Sequence, residues 1–151
     1  RMGYVVGPAK LISELRALRR LMLRHPAANN QHSMALFLSR GYYESLVKNL
    51  HRTYQDRFQI MSEELSNIMP VSVATTAFGG SSFWIEGPKT LDARVLALEA
   101  KKIGIIIEPG DLHFYGPTPP KHFFRLGFSA IKTEHIRPGI KLLADLITQL
   151  T

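Results

Sequence analysis

The 151-residue sequence predicts an α/β chain in which helices come first and a small α+β domain follows, its mostly antiparallel sheet covered by helices. Three observations carry this. Apolar residues recur at helical spacing from Leu11 to Leu65, with strand-like texture only at the very start. At Pro70 the texture changes, and β-branched and aromatic runs begin to alternate with helical stretches. The composition, 45% hydrophobic and 21% charged, is that of a globular chain long enough for one domain or one and a half.

Arg1-Met2-Gly3-Tyr4-Val5-Val6 reads as a strand closed by Gly7-Pro8. Because no leader or cap precedes it, Met2 is read as internal and the chain as a piece of a longer protein. From Pro8 to Arg24, Leu11, Leu15, Leu18 and Met22 form one face of a helix, with Arg16, Arg20 and Arg24 spaced one turn apart beside them. His25-Pro26 breaks it, and a second helix is expected over Ser33 to Leu38, ahead of Gly41. Tyr43, Val47, Leu50, Tyr54, Phe58, Met61 and Leu65 then step by fours and threes, which predicts a long helix ending before Pro70.

After Pro70, Val71 to Thr75 and Ser82 to Ile85 are expected strands on either side of Phe78-Gly79-Gly80. Thr90 is expected to cap a helix with Leu91, Val95 and Leu98 on its apolar face, and Gly104 to stop it. Ile105 to Ile107 reads as a short buried strand and Phe123 to Phe128 as another, joined by a proline-rich loop. Thr133 is expected to cap the last helix, which carries Ile136, Ile140, Leu143, Ile147 and Leu150 on one face. The domain boundary falls at 69/70.

Composition narrows the function classes. The chain contains no cysteine, which removes disulfides and thiolate metal sites and suits a reducing cytoplasm. No apolar run is long enough to span a membrane, and no signal-peptide pattern opens the chain, so no membrane partner is expected. The formal charge of +7 would suit a polyanion, yet the cations are spread over several helices. Arg16, Arg19, Arg20 and Arg24 could face solvent, an acidic partner, DNA phosphates or a second subunit. The six histidines are scattered without ligand spacing, so no metal site is expected.

Four segments taken in order resemble the C-terminal half of fold-type-I aminotransferases, most closely the aminotransferase-like domain of MocR-type regulators of the GntR family. Arg1-Met2-Gly3-Tyr4 is similar to the strand that follows the Schiff-base lysine, and Gly79-Gly80-Ser81-Ser82-Phe83-Trp84 to a glycine-pair strand. Glu108-Pro109-Gly110 to Phe114 is similar to a loop that closes over the site, and Phe124-Arg125-Leu126-Gly127-Phe128-Ser129 to the strand carrying the arginine that grips a carboxylate. The resemblance implies that 1–69 are the end of a large cofactor domain plus a connecting helix, and that 70–151 are the small domain. It implies a homodimer with shared sites, and pyridoxal 5'-phosphate (PLP) in the parent protein.

By the same layout the cofactor's lysine lies upstream of Arg1, so this chain alone should neither hold PLP nor transaminate. The resemblance gives Arg1 a role at the cofactor phosphate and Arg125 a role at the carboxylate of an amino-acid effector or substrate. A guanidinium fork suits that task through its bidentate geometry. From the residues alone, Arg125 could equally face solvent or pair with Glu86 or Glu108, and Arg1 could be a solvated end. Gly79-Gly80 is read as a hairpin bend or a close approach to a ligand, and Phe83 and Trp84 as sheet core or ligand platform.

Three functions follow as candidates. The first is the sensing and oligomerisation domain of a transcriptional regulator that meets DNA only through a winged helix upstream of this chain. The second is the C-terminal domain of a class I/II aminotransferase, and the third a purely structural oligomerisation piece.

Overall fold

The structure, a computed structural model, describes residues 2–68, 72–74 and 80–151, and it divides into two compact units, 1–50 and 51–151. The domain boundary expected at 69/70 lies outside the described residues, as do Arg1 and Gly79.

In the first unit, residues 2–8 take no regular structure, and Tyr4 and Val6 are almost fully exposed. A strand is held by a neighbouring strand, and the expected one has no pairing partner among the described residues. Helix α1 runs over Ala9–Met22, and Arg24 adopts a left-handed φ of 56°, so the basic row is Arg16, Arg19 and Arg20, with Arg24 past the helix end. Helix α2, Ala28–Ser39, starts five residues earlier than expected. A turn at Gly41, with φ of 72°, leads into α3, Tyr42–Ile68. Phe37 meets Tyr42 and Tyr43 at 6.2 and 6.4 Å between ring centroids, which pins that corner.

Helix α3 is 27 residues long and so extends about 40 Å. Its expected stripe is bare at Tyr43, Val47 and Leu50 but buried at Met61 and Leu65. The second unit explains the difference, because there the helix lies on a sheet.

That sheet is made of β1 (Ser72–Ala74), β2 (Ser82–Glu86), β3 (Glu108–Pro109) and β4 (Phe123–Gly127), in the order β1-β2-β4-β3 with every pair antiparallel. Alternation sends Phe83 and Ile85 of β2 and Phe124 and Leu126 of β4 to one face, where all four are buried. They share a core with Met61 and Leu65 of α3, Leu96 and Ala100 of α4 (Ala93–Lys102), and Ile136, Ile140, Leu143 and Ile147 of α5 (Ile136–Leu150). Phe58 stacks on Phe83 with centroids 5.0 Å apart, which fixes α3 against β2.

Several expected details move. Asp92, not Thr90, caps α4, accepting hydrogen bonds from Arg94 N (2.9 Å) and Val95 N (3.4 Å). The buried face of α4 is Ala93, Leu96 and Ala100, whereas Val95 and Leu98 are exposed. Gly104, with φ of 81°, ends the helix as expected, and the N–H groups of Gly104 and Ile105 donate to the carbonyls of Lys101 and Ala100. The expected strand at 105–107 is instead a two-residue β3 at Glu108–Pro109, with Ile107 buried and Ile106 exposed. Thr133 opens a short 3-10 turn with no side-chain cap, and α5 begins after it.

Candidate functional site

The sheet's second face is where the sequence placed its chemistry. Because Phe124 and Leu126 point inward, Arg125 must point outward, and its register partners are Trp84 on β2 and Glu108 on β3. Arg125 Nε donates to Glu108 Oε2 at 2.7 Å, and Nη2 contacts the same oxygen. Of the readings open in the sequence, pairing with Glu108 is the one observed, whereas Glu86 faces His122 at 3.5 Å. The two side chains remain 48% and 43% exposed, so the pair lies open to solvent. His113 Nε2 lies 3.4 Å from Glu108 Oε1, which places the carboxylate between an arginine and a histidine.

Around this pair stands an aromatic bank. Trp84 stacks on Phe123 at 5.9 Å, Phe114 lies 5.1 Å from Phe123, and Trp84 meets His113 edge-on at 5.5 Å. Phe83 is thus core, while Trp84 belongs to this outer cluster. The loop after β3 is held down at two points. A Cβ on Gly110 would come within 2.6 Å of Trp84 and 2.8 Å of the Phe123 carbonyl oxygen, and Gly110 N donates to that oxygen at 2.8 Å. One residue on, Asp111 Oδ2 accepts from Arg94 Nε at 2.6 Å, while Oδ1 is buried with no hydrogen-bond partner.

Arg125 and Glu108 also line a groove of about 710 Å³ whose walls include Ile103, Ile105, Ile131 and Leu142. No lysine lines it. Arg57 of α3 braces the far end of β4, donating from Nη1 to the Phe128 and Ser129 carbonyls at 3.3 and 2.5 Å. His113, Arg94 and Arg57 were invisible as site residues in the sequence, because each meets its partner only once a loop or helix has closed on the sheet. Among the described residues no three histidine or acidic side chains converge as a metal site, and no helix is long and apolar enough to cross a membrane.

The chain matches no family model. It is 38% identical over 144 residues to the HTH-type transcriptional regulator TauR of Rhodobacter capsulatus, covering 95% of this chain and 30% of that protein. It is 26% identical over 153 residues to aromatic-amino-acid aminotransferase 1 of Thermococcus litoralis, covering 99% of this chain and 36% of the enzyme. Among solved structures it superposes with a TM-score of 0.83 and 25% identity on LysN, the α-aminoadipate aminotransferase of Thermus thermophilus, complexed with N-(5'-phosphopyridoxyl)-L-leucine. That match covers 96% of this chain and 37% of the enzyme. The chain thus spans about a third of the length of the proteins it is similar to. It has the C-terminal fold of the fold-type-I, PLP-dependent aminotransferases and is homologous both to those enzymes and to the MocR-type regulators of the GntR family.

Proposed function

We propose that this chain is the C-terminal part of the effector-sensing and oligomerisation body of a transcriptional regulator, in which Arg125 receives the carboxylate of an amino acid. The observation that carries the proposal is a solvent-open guanidinium, aimed off the outer face of β4 beside an apolar groove. Such a fork can accept a planar carboxylate in two parallel hydrogen bonds and so fix its orientation. The higher identity to the regulator TauR than to the aminotransferase supports a sensing role over turnover.

In this reading 1–69 close a large cofactor domain and supply the connecting helix, 70–151 are the small domain, and two subunits assemble in the cytoplasm. DNA is met by a winged helix upstream of this chain, and PLP belongs to the full-length protein. By the family's layout the lysine that carries the cofactor's aldehyde lies upstream of Arg1. Arg1, the residue proposed at its phosphate, lies outside the described region. The cofactor would supply an electron sink and an attachment point for an amino group.

The decisive variant is Arg125→Lys in the full-length protein. Amino-acid binding should weaken about tenfold or more, since a lysine keeps the charge but loses the fork, while cofactor content stays unchanged. An unaltered amino-acid response would remove Arg125 from the site. The homology to aminotransferases favours a second reading, an enzyme that uses Arg125 in the same way. Sequence-specific DNA binding by the full-length protein, without turnover of an amino donor, separates the regulator from the enzyme.

A further inference from the structure

One donor edge of the Arg125 guanidinium, Nε with Nη2, is already paired. We propose that Glu108 is an internal competitor for it, a residue that sets how strongly a carboxylate must bind before it enters the site. The inference depends on the reading of Arg125 as the carboxylate receptor.

Three features of the structure support it. Glu108 is Arg125's cross-strand partner, and its Oε2 accepts from Nε at 2.7 Å while also touching Nη2, so it already holds one donor edge of the guanidinium that a ligand carboxylate could use. The segment carrying Glu108 is fixed, with Gly110 wedged between Trp84 and the Phe123 carbonyl and Asp111 tied to Arg94. Glu108 is therefore presented to Arg125 by the fold, whatever the ligand. The other carboxylate oxygen, Oε1, faces His113 at 3.4 Å, which gives Glu108 a polar neighbour to turn towards when a ligand takes the fork.

The consequence is thermodynamic. A closed state that must open before binding raises the apparent Kd of every carboxylate by the same factor. It leaves the ratio between two ligands unchanged but moves the whole scale. Small plain carboxylates, which have only the fork to hold them, are pushed to weak binding. An amino acid, which has a second attachment through its amino group, stays within reach.

Isothermal titration calorimetry on the full-length protein with glycine, and with acetate as the plain carboxylate, tests this in three variants. Glu108→Gln removes the competing charge at constant size. Glu108→Asp keeps the charge but shortens the arm by one methylene, so the contact is lost. Both should tighten glycine and acetate by a common factor of about two to five, the range expected for an ion pair this exposed. Arg125→Gln should lose both ligands.

If Arg125→Gln loses binding while Glu108→Gln and Glu108→Asp leave it unchanged or weaker, internal competition is wrong and the role of Arg125 stands. Tightening in Glu108→Gln alone would make Glu108 a source of repulsion and not a competitor, which also overturns the proposal. Unchanged binding in Arg125→Gln would remove the underlying reading itself. Thermal unfolding of each variant, measured alongside, separates these outcomes from loss of fold.

Discussion

Residues 1–50 and residues 51–151 are built from comparable proportions of apolar residues but put them to different use. Every buried side chain among the described residues lies in the second unit, where three helices close over one face of a four-stranded sheet. In the first unit, Leu11, Leu15, Leu18 and Met22 form the same kind of stripe and all remain exposed. Charge divides the same way. The first unit carries eight Lys and Arg against two Asp and Glu, a net +6, while the second carries eleven against ten, a net +1. An apolar stripe is a request for a partner, and the second unit contains its own. Helix α3 shows both situations in one element, bare at Tyr43 and Val47 and buried at Met61 and Leu65.

The strongest way to break the contrast is to empty the second unit's core. Phe124 is fully buried on β4 between strands β2 and β3, and Phe124→Ala should cost about 3–5 kcal/mol. Chemical denaturation of the 151-residue chain checks this. A loss below about 1 kcal/mol would mean that the second unit does not hold together as a single packed core.

Much of this organisation was legible in the sequence. The order of elements after Pro70, the apolar face of α5 and the stop at Gly104 follow from strand and helix texture, helical spacing and glycine chemistry. The faces of β2 were not separated, since Phe83 and Trp84 were read together and the strand sends only Phe83 into the core. What was not legible has a separate cause in each case. The buried face of α4 contains two alanines, Ala93 and Ala100, which are weakly apolar but small enough for close packing, so the larger Val95 and Leu98 drew the expected face to the wrong side. Glu108 and Glu86 were equal candidates for Arg125, because strand register decides between them and a two-residue β3 leaves almost no periodic signal. The Asp111–Arg94 pair joins residues 17 apart, and only the loop's closure brings them together.

A smaller effect sharpens the account of α4. Asp92 loses solvation in the fold, which opposes its ionisation. The N–H groups of Arg94 and Val95, with Lys121 Nζ 3.5 Å away, outweigh this and hold its carboxyl below the ordinary value of 3.8. A lowered folded value means that the stabilisation is present above the unfolded value and is lost as the pH falls through the folded one. Asp92→Ala should therefore cost about 1 kcal/mol near neutral pH. The difference from the unaltered chain should shrink as the medium is acidified below the ordinary carboxylate range. Denaturant titrations at neutral and acid pH provide the check, and a cost that does not change with pH would mean that the cap works without its charge.

The smallest effect bears most directly on the comparison. Leu18 sits half exposed on α1, and in the 151-residue chain Leu18→Ala should change stability by no more than about 0.5 kcal/mol. In the full-length protein proposed above, the same stripe would have a surface to cover it, and the cost should rise to about 2–5 kcal/mol, the range for emptying a packed leucine site. Denaturation of both forms measures the difference. A rise would show that the bare stripe of the first unit is half of an interface, and an equally small effect in both would show that α1 keeps its leucines in water whatever surrounds it.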